Sequence, residues 1–145
     1  ISSLNIRLLH SMLISAPGSQ TQKFHIDTKH LQEDEHWPTH IINVFIPLVD
    51  ITTHKLGPTE LVPKSHLETR LMYSPRARNQ ANPQLQPPIT PLMDVGDVLL
   101  FDFRTLHRGL ANASPLNINR PLLVLAFSIP SFQDTANWPG PSIYD

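Results

Sequence analysis

Cysteine is absent from the 145 residues. That excludes a disulfide framework, thiolate metal sites and a cysteine nucleophile, and says little about compartment. No apolar run approaches the roughly 18 residues of a membrane span. The opening Ile1-Ser2-Ser3 has no initiator Met and does not resemble a signal peptide. The expectation is a fragment of a longer chain, with compartment unknown and cytoplasm only the default. Excess charge of one sign is also missing. The net charge of -1 supplies no bulk field toward nucleic acid or an anionic membrane. Glycine is scarce, with 5 residues against 15 prolines. Proline removes a backbone donor and breaks helix interiors. Because the prolines are spread along the chain, few windows remain for a long helix, which favours a β-rich domain with rigid loops.

Strand signals are what remains. From Leu4 to Ser15 the chain follows a period of two, apolar against polar in its first half and apolar on both faces in its second. Ala16-Pro17-Gly18-Ser19 is a turn signal, and a strand carrying His25 and Asp27 is expected after it. Lys29 to Thr39 reads as a polar surface loop. Ile41 to Val49 is a second strong strand, with Pro47 suited to an edge or bulge. Turns at Leu56-Gly57-Pro58-Thr59 and Met93-Asp94-Val95-Gly96-Asp97 lead into Glu60–Pro63 and Val98–Phe103. Residues 70–91 form a long proline-rich loop without a period, as expected of a lid or a disordered segment. The last apolar run is Leu122 to Phe127. Six or seven strands that do not alternate with helices predict one all-β domain, a sandwich, barrel or jelly roll with few short helices.

The chemistry concentrates in Gln22-Lys23-Phe24-His25-Ile26-Asp27. In an extended segment, side chains at i and i+2 share a face, so His25 and Asp27 aim at one point. One His and one carboxylate are two thirds of a facial triad, the set that holds Fe(II) with open coordination positions. The third ligand should be a distant His, and His107 is a good candidate. A chance His-x-Asp pair is the bland alternative, since the chain has 8 histidines. Arg120, thirteen residues after His107, precedes Pro121 and so is held extended. A guanidinium in a barrel interior requires an anion, and its planar fork matches a carboxylate. The other reading places Arg120 on the rim, bonded to Asp97 or Asp102.

His25-Ile26-Asp27, the run Gly57-Pro58-Thr59-Glu60-Leu61-Val62-Pro63-Lys64-Ser65-His66, Gly96-Asp97-Val98-Leu99-Leu100-Phe101, and His107-Arg108-Gly109 with Asn112, Ser114 and Arg120-Pro121 together resemble the phytanoyl-CoA dioxygenase family. The resemblance covers about Gln22 to Phe127. It implies a double-stranded β-helix, that is, a jelly roll. It also implies an oxygenase that uses Fe(II), 2-oxoglutarate and O2. His25, Asp27 and His107 match the family's iron ligands. Arg120 matches the arginine that binds the distal carboxylate of 2-oxoglutarate. Thr59 in the Gly-Pro-Thr hairpin and Asn43 on the second strong strand are further cosubstrate candidates. An intact Asp27 implies hydroxylation, because related halogenases carry a small residue there. Three departures stand out. Lys64 occupies a position usually held by Gly, and Gly109 one where some members place Ser. The arginine also lies slightly farther from the distal His than in several members. The helical support usual before the family's core is not seen in these residues.

The resulting expectation is a single jelly-roll dioxygenase that hydroxylates a small organic substrate while 2-oxoglutarate is decarboxylated to succinate. No nucleic-acid partner or membrane span is expected, and the oligomeric state is open. The rival readings are a catalytically silent jelly-roll binding module and a cupin-like metalloenzyme that does not use 2-oxoglutarate.

Overall fold

Long apolar runs build a four-stranded sheet in this molecule, and short strands and loops pinned by backbone hydrogen bonds build much of the rest. The computed structural model describes residues 6–32, 35–68 and 85–134. Six strands occur among them: β1 (Arg7–Ser15), β2 (Ile41–Pro47), β3 (Thr59–Leu61), β4 (Leu99–Asp102), β5 (His107–Gly109) and β6 (Arg120–Ser128). The only helical element among the described residues is a 3-10 turn over Ser65–Leu67. All strand pairs are antiparallel, in a four-stranded sheet of order β1-β6-β2-β4 and a two-stranded sheet of order β3-β5. The fold is all-β and agrees with the expected jelly roll. No helix of the described residues is long and apolar enough to cross a membrane.

The run from Leu122 to Phe127 is apolar on both faces because β6 lies inside the sheet, between β1 and β2. Its inward residues Arg120, Leu122, Ala126 and Ser128 are buried. Leu122 joins Phe45, Phe101, Ile51 and Leu61 in the principal core. Phe45 and Phe101 meet edge to face, with ring centroids 4.9 Å apart, a favoured aromatic geometry. Ile41, Phe103 and Ala126 form a second cluster, and Val62 and Leu106 a third. β1 is an edge strand, and the outward Leu8, Met12 and Ile14 are exposed. Pro47 closes β2 beyond the stretch paired with β4, where no ladder donor is lost.

Two expectations change. The segment of His25 and Asp27 is extended but not a regular strand. Its ladder contact is an isolated bridge between His25 and His107, with Asp27 N–H donating separately to the Phe103 carbonyl at 3.1 Å. The long loop is shorter at its C-terminal end, where Ile89 bridges Leu61 through two backbone hydrogen bonds. The expectation of a lid or disordered segment over 70–84 falls outside the described residues.

The hairpin before β3 depends on glycine. Gly57 has φ +69°, and a Cβ there would lie 2.6 Å from the Leu110 carbonyl oxygen and 3.0 Å from that of Ala111. The following Pro58 carbonyl accepts from Leu110 N–H at 3.0 Å. The hairpin thus lies directly on the chain leaving β5. Lys64 also has positive φ, +61°, which accounts for glycine being usual at this position. Gly57→Ala is expected to cost about 2–4 kcal/mol, combining left-handed strain and overpacking. Lys64→Gly should instead raise stability by up to about 1 kcal/mol. Urea unfolding of the two variants checks the opposite signs.

Candidate metal centre

The His25–His107 bridge is made by two reciprocal backbone bonds, each 2.9 Å. It brings the two imidazoles together with centroids 4.4 Å apart and ring planes tilted by 52°. Each ring sets its Nδ1 against the carbonyl two residues earlier: His25 against Lys23 at 3.0 Å and His107 against Thr105 at 2.9 Å. A carbonyl can only accept, so Nδ1 is the donor in each ring and Nε2 is the atom left to face the carboxylate. The two Nε2 atoms converge on Asp27. His25 Nε2 lies 3.7 Å from Oδ1 and His107 Nε2 lies 3.7 Å from Oδ2.

Asn43, buried on β2, donates from Nδ2 to Asp27 Oδ2 at 2.6 Å and fixes the carboxylate plane. Burial pushes the His107 pKa below its ordinary value, with the Asp27 charge opposing and His25 reinforcing. His107 is therefore neutral near pH 7, as a metal ligand must be. Among the described residues these three are the one group whose donor atoms all lie within 4.8 Å of one another. Two of the three donor pairs are already 3.7 Å apart, close enough for one ion to be shared among the three side chains. The set of two neutral nitrogens and one carboxylate fits Fe(II).

The three residues line a cavity of about 200 Å3 together with Gln22, Asn43, Thr59 and Arg120. Arg120 opens β6 and is 2% exposed. Its Nε and Nη1 are buried and meet no acceptor, and burial pulls its pKa down. A buried cation with idle donors is costly, and a carboxylate in the cavity would satisfy it. The rim alternative fails. Asp102 is bonded to Arg104, and Asp97 accepts from Asp94 N–H within its own turn.

All six expected site residues, His25, Asp27, His107, Arg120, Thr59 and Asn43, therefore face one cavity. Asn43, expected near the cosubstrate, also holds Asp27. Gln22 lines the cavity too, and no role was read for it from the sequence. Its Oε1 accepts from Gly109 N–H at 2.7 Å. The usable signal was Gly109, since a glycine inside a strand marks a close approach.

Behind the centre lies a second charged group. Arg104 is fully buried. It donates from Nε and Nη2 to the two oxygens of Asp102 at 2.8 and 2.7 Å, and from Nη1 to the Trp37 carbonyl at 2.9 Å. His30 Nδ1 lies 3.3 Å from the same Nη1. This cluster anchors the loop after Asp27 to the turn before His107. Burial first, then Arg104 and His36, bring the His30 pKa down to about 4, against the opposing Asp102. Burial alone would raise Asp102, but the Arg104 hydrogen bonds, the Thr39 hydroxyl and the Arg104 charge hold it at about 2.

A family model described as Phytanoyl-CoA dioxygenase (PhyH) matches residues 3–117. Among solved structures, EvdMO1 is similar at 23% identity and TM-score 0.69, over 88% of this chain and 28% of that one. The epimerase SnoN, in complex with Fe3+, alpha ketoglutarate and nogalamycin RO, is similar at 20% identity and TM-score 0.63, over 86% and 50%. HygX from Streptomyces hygroscopicus, with nickel and 2-oxoglutarate bound, is similar at 18% identity and TM-score 0.65, over 89% and 60%. The chain spans less than two thirds of the length of each.

The His30 and Asp102 shifts give a signed pH dependence. His30 is depressed from 6.5 to about 4 on folding. Its contribution is therefore complete above pH 6.5 and lost as pH falls toward 4, about 3 kcal/mol in all. Asp102, lowered from 3.8 to about 2, contributes above pH 3.8 and loses that contribution below it. Urea midpoints should therefore fall between about pH 7.5 and about pH 4.5, before most carboxylates protonate. His30→Gln should narrow that gap, and an unchanged gap would contradict the assignment.

Proposed function

The chain belongs to the phytanoyl-CoA dioxygenase family, and from that premise we propose that it is an Fe(II)- and 2-oxoglutarate-dependent dioxygenase that hydroxylates a small organic substrate. One observation carries the reading. A convergent His-Asp-His donor set and a buried arginine with unpartnered N–H groups line the same cavity. His25, Asp27 and His107 would hold the metal, and Arg120 would hold the distal carboxylate of 2-oxoglutarate. When bound, the metal with its cosubstrate supplies oxidising power. In the overall balance, substrate R–H, O2 and 2-oxoglutarate give R–OH, succinate and CO2.

The rest is the work of this chain's own residues. Lys23 and Thr105 carbonyls keep the Nδ1 protons in place, so both Nε2 lone pairs stay available. Asn43 keeps one oxygen of Asp27 toward each histidine. Arg120 fixes the cosubstrate's length direction by a charge-assisted contact in a poorly hydrated place. Phe45, Phe103 and Val124 supply apolar wall to the same cavity, which limits water around the reacting atoms. Thr59, 8% exposed on β3, adds a hydroxyl to that cavity. A silent binding module is less well supported, because Arg120 faces the cavity rather than solvent.

Anaerobic titration with Fe(II) and 2-oxoglutarate should give the weak visible charge-transfer band of the chelate, and Asp27→Ala should lose it. Arg120→Ala should raise the 2-oxoglutarate concentration needed by at least about tenfold, the scale of a lost charged hydrogen bond. Absence of the band in folded, metal-loaded parent protein would overturn the reading. A 2-oxoglutarate requirement unchanged in Arg120→Ala would overturn the role given to Arg120.

A further inference from the structure

Arg120 borders two cavities rather than one. Besides the metal cavity of about 200 Å3, Arg120 lines a second of about 130 Å3, together with Ser15, Ser19, Gln20 and Leu110 among others. The two share four residues, Leu13, Gln22, Gly109 and Arg120. Gly109 has no side chain to close the gap, Leu13 is on the exposed edge strand, and Arg120 is the anchor itself. That leaves Gln22, whose side-chain amide sits on the Gly109 backbone that both cavities share. It is held firmly: Oε1 accepts from Gly109 N–H at 2.7 Å, and Gln22 N–H donates to the Gly109 carbonyl at 2.9 Å. A Cβ on residue 109 would lie 3.0 Å from Oε1 and 3.5 Å from Cδ, so this seat exists because residue 109 is glycine.

We propose that Gln22 is a specificity-determining residue that sets the length of the 2-oxo dicarboxylate the site accepts. The inference rests on the 2-oxoglutarate reading above. With the 2-oxo acid end at His25, Asp27 and His107, the distal carboxylate reaches Arg120 from the metal cavity. An acid one methylene longer, 2-oxoadipate, pushes its carboxylate into the space that the Gln22 amide fills. Without that amide the two cavities join, and the longer acid meets the same guanidinium from the enlarged space. Discrimination by one methylene in a shaped pocket is worth about 10- to 200-fold.

The test compares dissociation constants for 2-oxoglutarate and 2-oxoadipate, read anaerobically from the Fe(II) chelate band without any turnover. Parent protein, Gln22→Ala, Gln22→Ser and Gln22→Leu are measured. The parent should favour 2-oxoglutarate by at least about tenfold. Gln22→Ala and Gln22→Ser should each narrow that ratio about tenfold or more, by tighter binding of 2-oxoadipate. Gln22→Leu, which refills that space without the hydrogen bond, should keep the preference. A merely structural role would weaken both acids together and leave the ratio unchanged. The inference is overturned by a parent that binds both acids equally, or by a folded Ala or Ser variant that keeps the parent ratio. A parent without any 2-oxoglutarate band instead overturns the functional reading beneath it, and is thereby told apart.

Discussion

Two backbone hydrogen bonds, His25 N–H to His107 carbonyl and the reverse, are the interaction on which the rest of this structure depends. They join a segment with no regular strand of its own to β5. Without them the first histidine and the carboxylate would lie on one loop and the second histidine on another strand. Because the bridge is antiparallel and local, it fixes both rings against each other and leaves Asp27 to close the triangle. The burial of β5 under the Gly57-Pro58-Thr59 hairpin, with Leu61 and Leu106 packed in the cores, protects those two bonds from water. Packing here protects a polar geometry that would be weak if exposed.

The two buried arginines show how the same cost is met in different ways. Arg104 is supplied with a carboxylate two residues away, a carbonyl and an imidazole, so it is satisfied within the folded chain. Arg120, equally enclosed, has two nitrogens without an acceptor. A protein gains nothing in stability by leaving a desolvated guanidinium so poorly provided. That contrast is the physical ground on which a carboxylate is proposed at Arg120.

Much of this was legible in the sequence for identifiable reasons. His25 and Asp27 share a face because extended backbone alternates, and the alternation survives even where the ladder does not. β6 and β2 were readable from their apolar runs, rich in β-branched and aromatic residues. Arg120 was readable because Pro121 pins it. What could not be read depends on partners distant in the chain. That Asn43 would meet Asp27 depends on strand register, and that Gln22 would settle on Gly109 depends on a side chain occupying space left by a missing one. The pairing of Arg104 with Asp102 was hidden for another reason: a short i, i+2 charge pair looks like ordinary surface decoration until burial is known.

The bonds from both Nδ1 atoms to carbonyls two residues earlier have a consequence for how freely this sequence can drift. The proton position on each imidazole is set by main chain, and every residue type supplies the same carbonyl. Exposed Lys23 could be exchanged for many other residues without altering which nitrogen faces the centre. At buried Thr105 the same holds for replacements that fit its space. Only a change that turns the local peptide plane would reach the tautomers, so the side chains at the positions that set them do not themselves define them.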